Sequence, residues 1–321
     1  RLKFKKEINS ITLVQPNGTF ILFPTYVKIA KIKHKLYHRG YDQILKYCDS
    51  NHIKVEKVEI ICAKLIRSAG DFYLHVTVGF PKTLKKKHNP PNTAIGIDFG
   101  CETQLTLSDG VDGIKIQYTV PPSEQTRQTH KDISRIEKVN GKKTWTKNKQ
   151  KKRTQLKKHY KHETNQRRDI GNKVVFLLNA CFRYICYQDD NIKGWSKRHG
   201  KKISHTGIGR IKSDIKNKSL TPIEVDRFFP STQLCPLCGV KTKHDESQRI
   251  YECSSCHYKE DRDIKSGGCI RHEGLRTEGI EGLEQACMEK IATALKNNLN
   301  GLGVNVSYFR GSTKPLGLSQ E

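Results

Sequence analysis

Four of the eleven cysteines form two identical pairs, and their spacing is the strongest chemical signal in the chain. Two residues separate the members of each pair, Cys235 with Cys238 and Cys253 with Cys256, and fourteen residues lie between the pairs. Each short gap allows a turn that points both thiolates at one ion, and two such turns complete the tetrahedral shell of structural zinc. We therefore expect one zinc ion that stabilises the fold and does no catalysis. His257 is a weaker alternative ligand.

Carboxylates at two other places are candidates for a catalytic site. Asp98 lies in an otherwise apolar segment, residues 94–99, where a lone carboxylate is costly unless it is paired or binds a metal. Asp261 and Asp263 follow the last cysteine pair. Two acids that open a helix are also an ordinary N-terminal charge preference, so this pair alone does not establish a site.

The charge of the chain indicates a polyanionic partner. Its 321 residues include 59 Lys and Arg against 32 Asp and Glu, a formal net charge of +27, and nucleic acid is the commonest polyanion that would neutralise it. The alternative is a solvated basic surface. Only 35% of the residues are hydrophobic and the mean hydropathy is −0.68, so no apolar run approaches the roughly 20 residues of a membrane span. These numbers exclude a transmembrane protein.

Residues 142–168 predict a long basic helix, because they contain a single acid, Glu163, and neither Gly nor Pro. Such a helix is either solvated on most sides or laid against phosphates. Its candidate nucleic-acid-binding residues are Lys142, Lys143, Lys147, Lys149, Lys151, Lys152, Arg153, Lys157, Lys158, Lys161, Arg167 and Arg168. Weaker candidates are Arg227 and Lys241. Five aromatic residues are expected in the core rather than stacked on bases: Trp145, Tyr160, Trp195, Phe228 and Phe229.

The remaining pattern predicts a β-rich region followed by a mixed α/β region. Residues 58–66 and 72–80 predict a β-hairpin that turns at residues 68–70, and residues 12–35 predict further strands. Lys-rich and Pro-rich residues 82–91 predict a linker. Beyond it, strands are expected within residues 94–107, 184–187 and 223–229, with helices between them and a final helix at residues 281–299.

The other seven cysteines are scattered, which favours a reducing compartment over a secreted disulfide scaffold. The chain begins at Arg1 without Met and without an apolar signal segment, so we expect it to lack natural residues upstream.

Five blocks in one order resemble the TnpB family of transposon-encoded proteins, which is related to Fanzor proteins and to type V CRISPR effectors. The blocks are GIDFG at residues 96–100, YQDDNIKG at 187–194, VDRFFPS at 225–231, the paired cysteines, and DRD at 261–263. The resemblance spans roughly residues 55–270. It implies an α/β plus β fold: a wedge-like β-barrel domain within residues 1–91, a RuvC-like nuclease domain of RNase H fold in residues 92–230 and 261–321, and a zinc-ribbon insertion in residues 231–260.

The resemblance also implies a guide RNA, a target DNA and cleavage by two Mg²⁺ ions. On this match Asp98 is the first catalytic acid and Asp263 the third, and both would hold magnesium. The second position departs from the family, because Gln188 stands where Glu is usual, and an amide offers only a neutral carbonyl to two cations. Three nearby acids are candidates to replace it: Asp190, Glu224 and Asp226. Strand alternation puts Asp190 on the face of Gln188 but about 6.6 Å further along.

The last block departs as well, because Lys265, Gly267 and Gly268 follow Asp263. Two glycines cost about 1 kcal/mol each relative to alanine inside a helix, so we expect this helix to start late or fray. We also expect Lys265 to place a cation beside the metal site. Both changes, like Gln188, point toward weak or absent cleavage.

The sequence thus predicts an RNA-guided DNA endonuclease of the TnpB or Fanzor type, in which guide pairing supplies target recognition. Two alternatives stay open. One is a nuclease-inactive RNA-guided DNA-binding protein, with Gln188 either natural or engineered to trap a complex. The other is a zinc-ribbon nucleic-acid-binding protein that needs no guide RNA. We expect a cytoplasmic location in a prokaryote and a nuclear one in a eukaryote or virus.

Overall fold

The computed structural model describes residues 10–14, 19–50, 52–79, 89–141, 146–245 and 248–311. The chain forms two compact units, one from residues 1–87 and 125–161 and the other from residues 88–124 and 162–321. The sequence assigns residues 125–161 to the domain that starts at residue 92, whereas in the structure they pack with the N-terminal unit. The predicted linker lies mostly outside the described residues.

The N-terminal unit contains two antiparallel sheets. Their strand orders are β1-β5-β6 and β2-β3-β4. The described strands therefore form two three-stranded sheets, and the predicted closed barrel is not seen among them. The elements are β1 (Ser10–Val14), β2 (Phe20–Leu22), β3 (Tyr26–Ile29), β4 (Leu36–Tyr37), α1 (Tyr41–Ser50), a 3-10 turn (Val55–Lys57), β5 (Glu59–Ser68) and β6 (Asp71–Gly79).

The predicted hairpin is confirmed by β5 and β6, which pair from Glu59 with Gly79 to Ser68 with Asp71. Ala69 and Gly70 connect the strands with φ angles of 55° and 90°. Positive φ at both central residues is the two-residue turn whose twist suits a hairpin.

The C-terminal unit is built around one mixed six-stranded sheet of order β11-β10-β7-β8-β9-β14. Strands β7, β10 and β11 run parallel, and the others pair antiparallel with their neighbours. The sheet strands are β7 (Ala94–Phe99), β8 (Leu105–Ser108), β9 (Gly113–Gln117), β10 (Tyr184–Gln188), β11 (Thr221–Val225) and β14 (Asn305–Phe309), and β12 (Ile250–Glu252) pairs with β13 (Lys259–Asp261) outside it.

Helices of the C-terminal unit cover the sheet on both faces. The helices that follow α1 in the chain are α2 (Glu124–Asn140), α3 (Lys147–Cys181), α4 (Ile192–His199), α5 (Lys201–Ser204), α6 (Ile208–Lys218), α7 (Arg262–Thr277) and α8 (Met288–Leu299), of which α2 and the first part of α3 belong to the N-terminal unit. The mixed α/β architecture predicted from the sequence is confirmed. None of the helices within the described ranges has both the length and the apolar character that crossing a membrane requires.

Side-chain alternation along β7 separates two layers. Ile95 and Ile97 join the large core with the C-terminal half of α3 and with α8. Ala94 packs on the opposite face with Ile270 and Leu275 of α7. Alternation puts Asp98 on that second face, toward α7.

Helix α7 begins directly at Arg262, so the expectation that it starts late or frays is wrong. Its glycines allow the helix to rest on the backbone of the sheet. An added Cβ on Gly96 of β7 would lie 2.0 Å from the carbonyl oxygen of Gly267, and one on Gly268 would lie 3.3 Å from Cα of Gly110. Close packing against the sheet therefore offsets the low helix propensity of glycine.

Two boundaries differ from the sequence prediction. Strand β11 ends at Val225 because residues 226–229 turn, and α8 begins at Met288 rather than near residue 281. Gly279 and Gly282 take positive φ angles of 63° and 66°, which interrupts a helix in that stretch.

The contact between α7 and β7 yields a test of the fold. Gly96→Ala is expected to lower the free energy of unfolding by about 3 kcal/mol, because the new Cβ meets a backbone oxygen that moves only if α7 shifts. Urea denaturation would measure it. Gly209→Ala in α6 is the control, since its Cβ would first meet a methyl of Ile192 at 3.6 Å. Equal stability of the two variants would contradict the close contact.

Candidate active site and metal centre

The four paired cysteines converge on one point. Their sulfur atoms all lie within 4.8 Å of one another, and the pairs Cys235–Cys256 and Cys238–Cys253 are each 3.5 Å apart. Sulfurs around a tetrahedral zinc ion with bonds of about 2.3 Å are about 3.8 Å apart. The donor set therefore fits a zinc ion.

The two cysteine turns have the same backbone geometry. In each, the N–H of the first cysteine donates to the carbonyl five residues later at 2.9 Å, and its carbonyl accepts from the N–H four residues later at 3.0 or 3.1 Å. The residue after the second cysteine is left-handed in both, with φ of 72° at Gly239 and 56° at His257. His257 is thus a turn residue, and it does not join the described cysteine cluster.

Three carboxylates meet at one edge of the main sheet. Asp98 lies near the end of β7, Asp190 follows the neighbouring parallel strand β10, and Asp263 lies in the first turn of α7. Burial, then repulsion from Asp263 and Asp190, raises the pKa of Asp98 to about 8, although a hydrogen bond with Ser266 opposes the shift. Burial also raises the pKa of Asp190 to about 6. A bound cation would favour the charged forms of Asp98 and Asp190.

The two aspartates of the DRD block have different roles. Asp261 caps α7, because its Oδ1 accepts from the N–H of Asp263 at 3.1 Å and of Ile264 at 3.2 Å. Lys115 of β9 donates to the other oxygen of Asp261 at 2.7 Å. Three cations approach the carboxylate of Asp263 at 3.7 to 3.9 Å: Lys115, Arg249 and Arg262. Asp263 is the member that shares the site with Asp98.

Gln188, predicted as a catalytic position, instead holds the loop of residues 226–231. Its Nε2 donates to the carbonyls of Asp226 and Arg227 at 3.1 Å and of Phe229 at 2.7 Å. Its Oε1 accepts from the hydroxyl of Ser231 at 3.0 Å. Both ends of this buried amide are therefore used by the protein. A carboxylate here would put negative charge against three carbonyl oxygens.

Among the predicted substitute acids, Asp190 is the one that interacts with Asp98. Strand β10 ends at Gln188, and the N–H of Asp190 donates back to the Gln188 carbonyl at 2.8 Å, so the strand spacing assumed from the sequence does not apply. Glu224 pairs with Lys216 at 2.6 Å. Asp226 accepts the N–H of Phe228 at 2.7 Å.

The carboxylate oxygens of Asp98, Asp190 and Asp263 are not as close to one another as the four cysteine sulfurs are. Within the described ranges, the four cysteines form the one group of three or more His, Cys, Asp or Glu residues whose ligand atoms all lie within 4.8 Å. Two metal ions lie about 3.5–4 Å apart in two-metal sites, so their ligands span a wider region than the ligands of one ion. The oxygen chemistry of the three acids fits magnesium.

Lys265 lies deeper than the sequence indicates. Its side chain is buried, and Nζ donates to the carbonyls of Ser231 at 2.9 Å and Leu234 at 3.1 Å. Nζ also lies 4.0 Å from the centre of the Tyr251 ring. Burial lowers the pKa of Lys265 to about 8. The lysine thus ties α7 to the start of the cysteine module.

The predicted basic helix is confirmed as α3, but several of its cations contact protein groups. Lys149 and Arg153 both pair with Glu137 of α2, at 3.0 and 3.1 Å, and Lys152 pairs with Asp132 at 2.7 Å. These three residues hold α2 against α3, and their assignment as phosphate contacts stays a prediction.

The other candidate basic residues of α3 fall into two groups, those that contact protein groups and those that are exposed without such a contact described. Lys158 pairs with Asp71 at 3.6 Å, Lys161 lies 3.4 Å from the centre of the Tyr73 ring, and Arg167 donates to the Val120 carbonyl at 3.0 Å. The candidates that remain on exposed positions without such a contact described are Lys147, Lys151, Lys157 and Arg168. Lys142 and Lys143 lie outside the described residues.

Sequence reasoning missed three polar residues of the site. Ser231 links Gln188 to Ser266 of α7 through hydroxyl contacts of 3.0 Å, and the block of residues 225–231 that it ends predicts no such role for it. Arg249 precedes the second cysteine pair without a distinguishing pattern. Lys115 did carry a signal, since it is the lone cation between Ile114 and Ile116 in a strand.

The mixed sheet with carboxylates at one edge, together with the four-cysteine module, defines an α/β protein with a zinc-ribbon-like insertion. Two family models match parts of it. A model described as "Cas12f1-like, TNB domain" matches residues 208–268, which include all four cysteines. A model described as "Probable transposase" matches residues 71–183.

Two curated relatives agree with these models. A "Putative RNA-guided DNA endonuclease" of Streptomyces pristinaespiralis is 25% identical over 189 residues, which are 57% of this chain and 45% of the relative. A "TnpB-like protein" of Acanthamoeba polyphaga mimivirus is 26% identical over 207 residues, which are 60% of this chain and 40% of the relative. The alignments thus span less than half the length of these relatives. The two family models and these relatives together support a relationship of the chain to the TnpB family.

The solved structure titled "Cryo-EM structure of CRISPR-Cas12f Ternary Complex" aligns with 74% of this chain and 49% of its own, at 14% identity and a TM-score of 0.34.

The cysteine geometry predicts one zinc ion per chain. Cys253→Ser is expected to remove that zinc and to destabilise the module, because ligand binding and folding are coupled in such sites. Metal analysis and thermal unfolding would measure both effects. Cys287→Ser, at an exposed cysteine outside the cluster, should keep the zinc. A wild-type protein without zinc would refute the assignment.

The contacts of Gln188 predict that Gln188→Glu lowers the free energy of unfolding by about 1–3 kcal/mol, since the new oxygen would face carbonyl oxygens. Chemical denaturation would measure the loss. Gln155→Glu, at an exposed position on α3, should change stability by about 0.5 kcal/mol at most. A glutamate variant as stable as wild type, with increased Mg²⁺-dependent cleavage, would instead identify position 188 as a catalytic ligand.

Proposed function

We propose that this chain is the nuclease part of an RNA-guided DNA endonuclease, with a RuvC-like site that holds Mg²⁺ through Asp98, Asp190 and Asp263. The observation that carries the proposal is the position of these acids at one edge of the sheet, where burial and the negative charges of Asp263 and Asp190 favour a cation beside Asp98. Oxygen ligands of this kind are those that magnesium prefers.

Bound magnesium would supply activation of a water molecule and stabilisation of the leaving oxygen in phosphodiester hydrolysis. The protein groups prepare the site for it. Asp98 enters from β7 and Asp263 from α7, so the strand and the helix fix two ligands independently. Lys115 and Arg249, close to Asp263, would orient a phosphate and offset its charge.

Asp190 takes the place of the usual glutamate in this proposal. The ion pairs of Asp189 support it, because Lys212 and Arg227 each hold the Asp189 carboxylate at 2.7 Å. Lys212 also donates to the Asp190 carbonyl at 3.1 Å. These contacts fix the backbone on both sides of the Asp190 side chain.

Guide RNA and target DNA are the proposed partners. The net charge of +27, the exposed basic residues of α3 and the name of the Streptomyces relative support them. In such complexes the protein holds the heteroduplex by its backbone while base pairing reads the sequence. Zinc at the four cysteines would keep the module folded next to α7. A reducing compartment, cytoplasm or nucleus, is proposed because it keeps these thiols available for zinc.

A second candidate function is guided DNA binding without cleavage. The observation that favours it is the use of Gln188 by the loop, which leaves the family's second catalytic position without a charged ligand. The same fold and the same partners would then serve to mark or repress a site.

Mg²⁺-dependent cleavage of a matched DNA target, by protein expressed with its native flanking RNA, distinguishes the two. Asp98→Ala and Asp190→Asn are each expected to lower the cleavage rate by at least about a hundredfold, while RNA binding persists. Glu224→Gln is the control, since Glu224 pairs with Lys216, and its rate should stay within about threefold of wild type. Unchanged cleavage by Asp190→Asn would remove Asp190 from the site. Binding without cleavage by wild type would favour the second function.

A further inference from the structure

Phe228 is the most exposed large hydrophobic side chain among the described residues, with 86% of its surface accessible. The sequence predicts it in the core, and the structure corrects this. Its neighbour Phe229 does pack inward, beside Val225 and Ile223. One ring of the pair therefore anchors the turn and the other is presented to solvent.

Hydrogen bonds fix the backbone of the turn that presents Phe228, from Asp226 to Phe229. The Gln188 amide binds the carbonyls on both sides of Phe228, at Arg227 and Phe229. The N–H of Phe228 donates to the Asp226 carboxylate at 2.7 Å, and the N–H of Phe229 donates to the Asp226 carbonyl at 3.1 Å. None of these contacts uses the ring of Phe228. A bulky ring is thus held outward on a preorganised turn.

The turn borders a cavity of about 620 Å³. Arg227, next to Phe228 in the chain, lines this cavity, and so does Asp190. Three further cations line it: Lys193, Arg210 and Lys212. The volume is in the range of small-ligand sites, and the cations suit a phosphate backbone.

We propose that Phe228 is a stacking platform for one unpaired nucleobase of a strand whose phosphates follow the cations of this cavity toward Asp190. Aromatic side chains beside a basic groove bind single strands in this way, because every base has a face on which a ring can stack. The proposal rests on the proposed function, in which the strand is the DNA to be cut. An unpaired base of RNA has the same chemistry, and the test separates the two sources.

The charge around the ring argues against an ordinary apolar protein contact. The neighbouring side chain is Arg227, whose guanidinium is half exposed while it pairs with Asp189. Four cations and two acids line the cavity beside it; Arg227 and Lys212 share the carboxylate of Asp189, Arg210 pairs with Asp214, and Lys193 is exposed. A partner that offers both a planar apolar face and negative charge fits this surface, and a nucleotide offers both.

Fluorescence of 2-aminopurine in a short single-stranded DNA tests the proposal, with the full chain and without added Mg²⁺, so that no cleavage occurs and the zinc site is left intact. Stacking on Phe228 is expected to quench the probe. Phe228→Ala should weaken binding by about 5- to 150-fold and abolish the quenching, because stacking on an aromatic side chain contributes that much per base. Phe228→Trp should retain both. Because the ring is exposed, its removal should leave the fold intact, which thermal unfolding checks.

Phe72→Ala is the matched control, since Phe72 is 68% exposed on β6 with Arg67 beside its ring. It should leave binding unchanged. Equal binding and quenching by wild type and Phe228→Ala, or an equal loss in Phe72→Ala, would overturn the proposal. An RNA oligonucleotide that binds more tightly, with the same dependence on Phe228, would support stacking and overturn its assignment to the DNA strand.

A failure of the proposed function gives a different result. Asp98→Ala should keep the Phe228-dependent quenching while it removes cleavage. A wild-type protein that quenches the probe through Phe228 but cuts no DNA would overturn the nuclease and leave the stacking site standing.

Discussion

The close approach of helix α7 to strand β7 is the contact on which the rest of the C-terminal unit depends. Gly96 and Gly267 meet there without side chains, so the helix axis lies nearer to the sheet than any Cβ would allow. This distance carries Asp263, in the first turn of α7, to the face of the sheet on which Asp98 lies. It also carries Lys265 and Ser266 to the loop before the cysteines. The close packing of α7 on β7 thus positions both the acids and the loop that leads into the cysteine module.

A chain of polar contacts then couples the cysteine module to the sheet. Gln188 at the end of β10 bonds to Ser231, Ser231 contacts Ser266 of α7, and Lys265 donates to the carbonyls of Ser231 and Leu234 just before Cys235. Buried polar groups are costly unless they are satisfied, so this network specifies one arrangement of strand, helix and loop. Loss of zinc would therefore disturb the segment that positions the acids, even though the ion itself does no chemistry.

The sequence predicted those elements whose structure depends on neighbouring residues in the chain. The hairpin of β5 and β6, strands β7 and β10, the basic helix α3 and the cysteine spacing all follow from periodicity, turn residues and ligand geometry. The errors concern residues whose surroundings come from distant parts of the chain. Gly267 is unfavourable in an isolated helix and suited to this one because Gly96 faces it. Phe228 is predicted in the core, whereas hydrogen bonds of its turn with Gln188 and Asp226 present its ring to solvent.

The contacts of Gln188 change what its identity implies about activity. The TnpB family usually has glutamate at this position, so glutamine alone would indicate that a charged metal ligand has been lost. In the structure the amide donates to three carbonyls, which a carboxylate cannot do, while a carboxylate two residues later interacts with Asp98. In the proposed function, Asp190 supplies the negative charge and Gln188 supports the loop, two roles that one glutamate could not fill here. On this proposal Gln188 is retained because it holds the loop. The affinity of the site for Mg²⁺ then depends on how closely Asp190 approaches Asp98 once a cation offsets their repulsion.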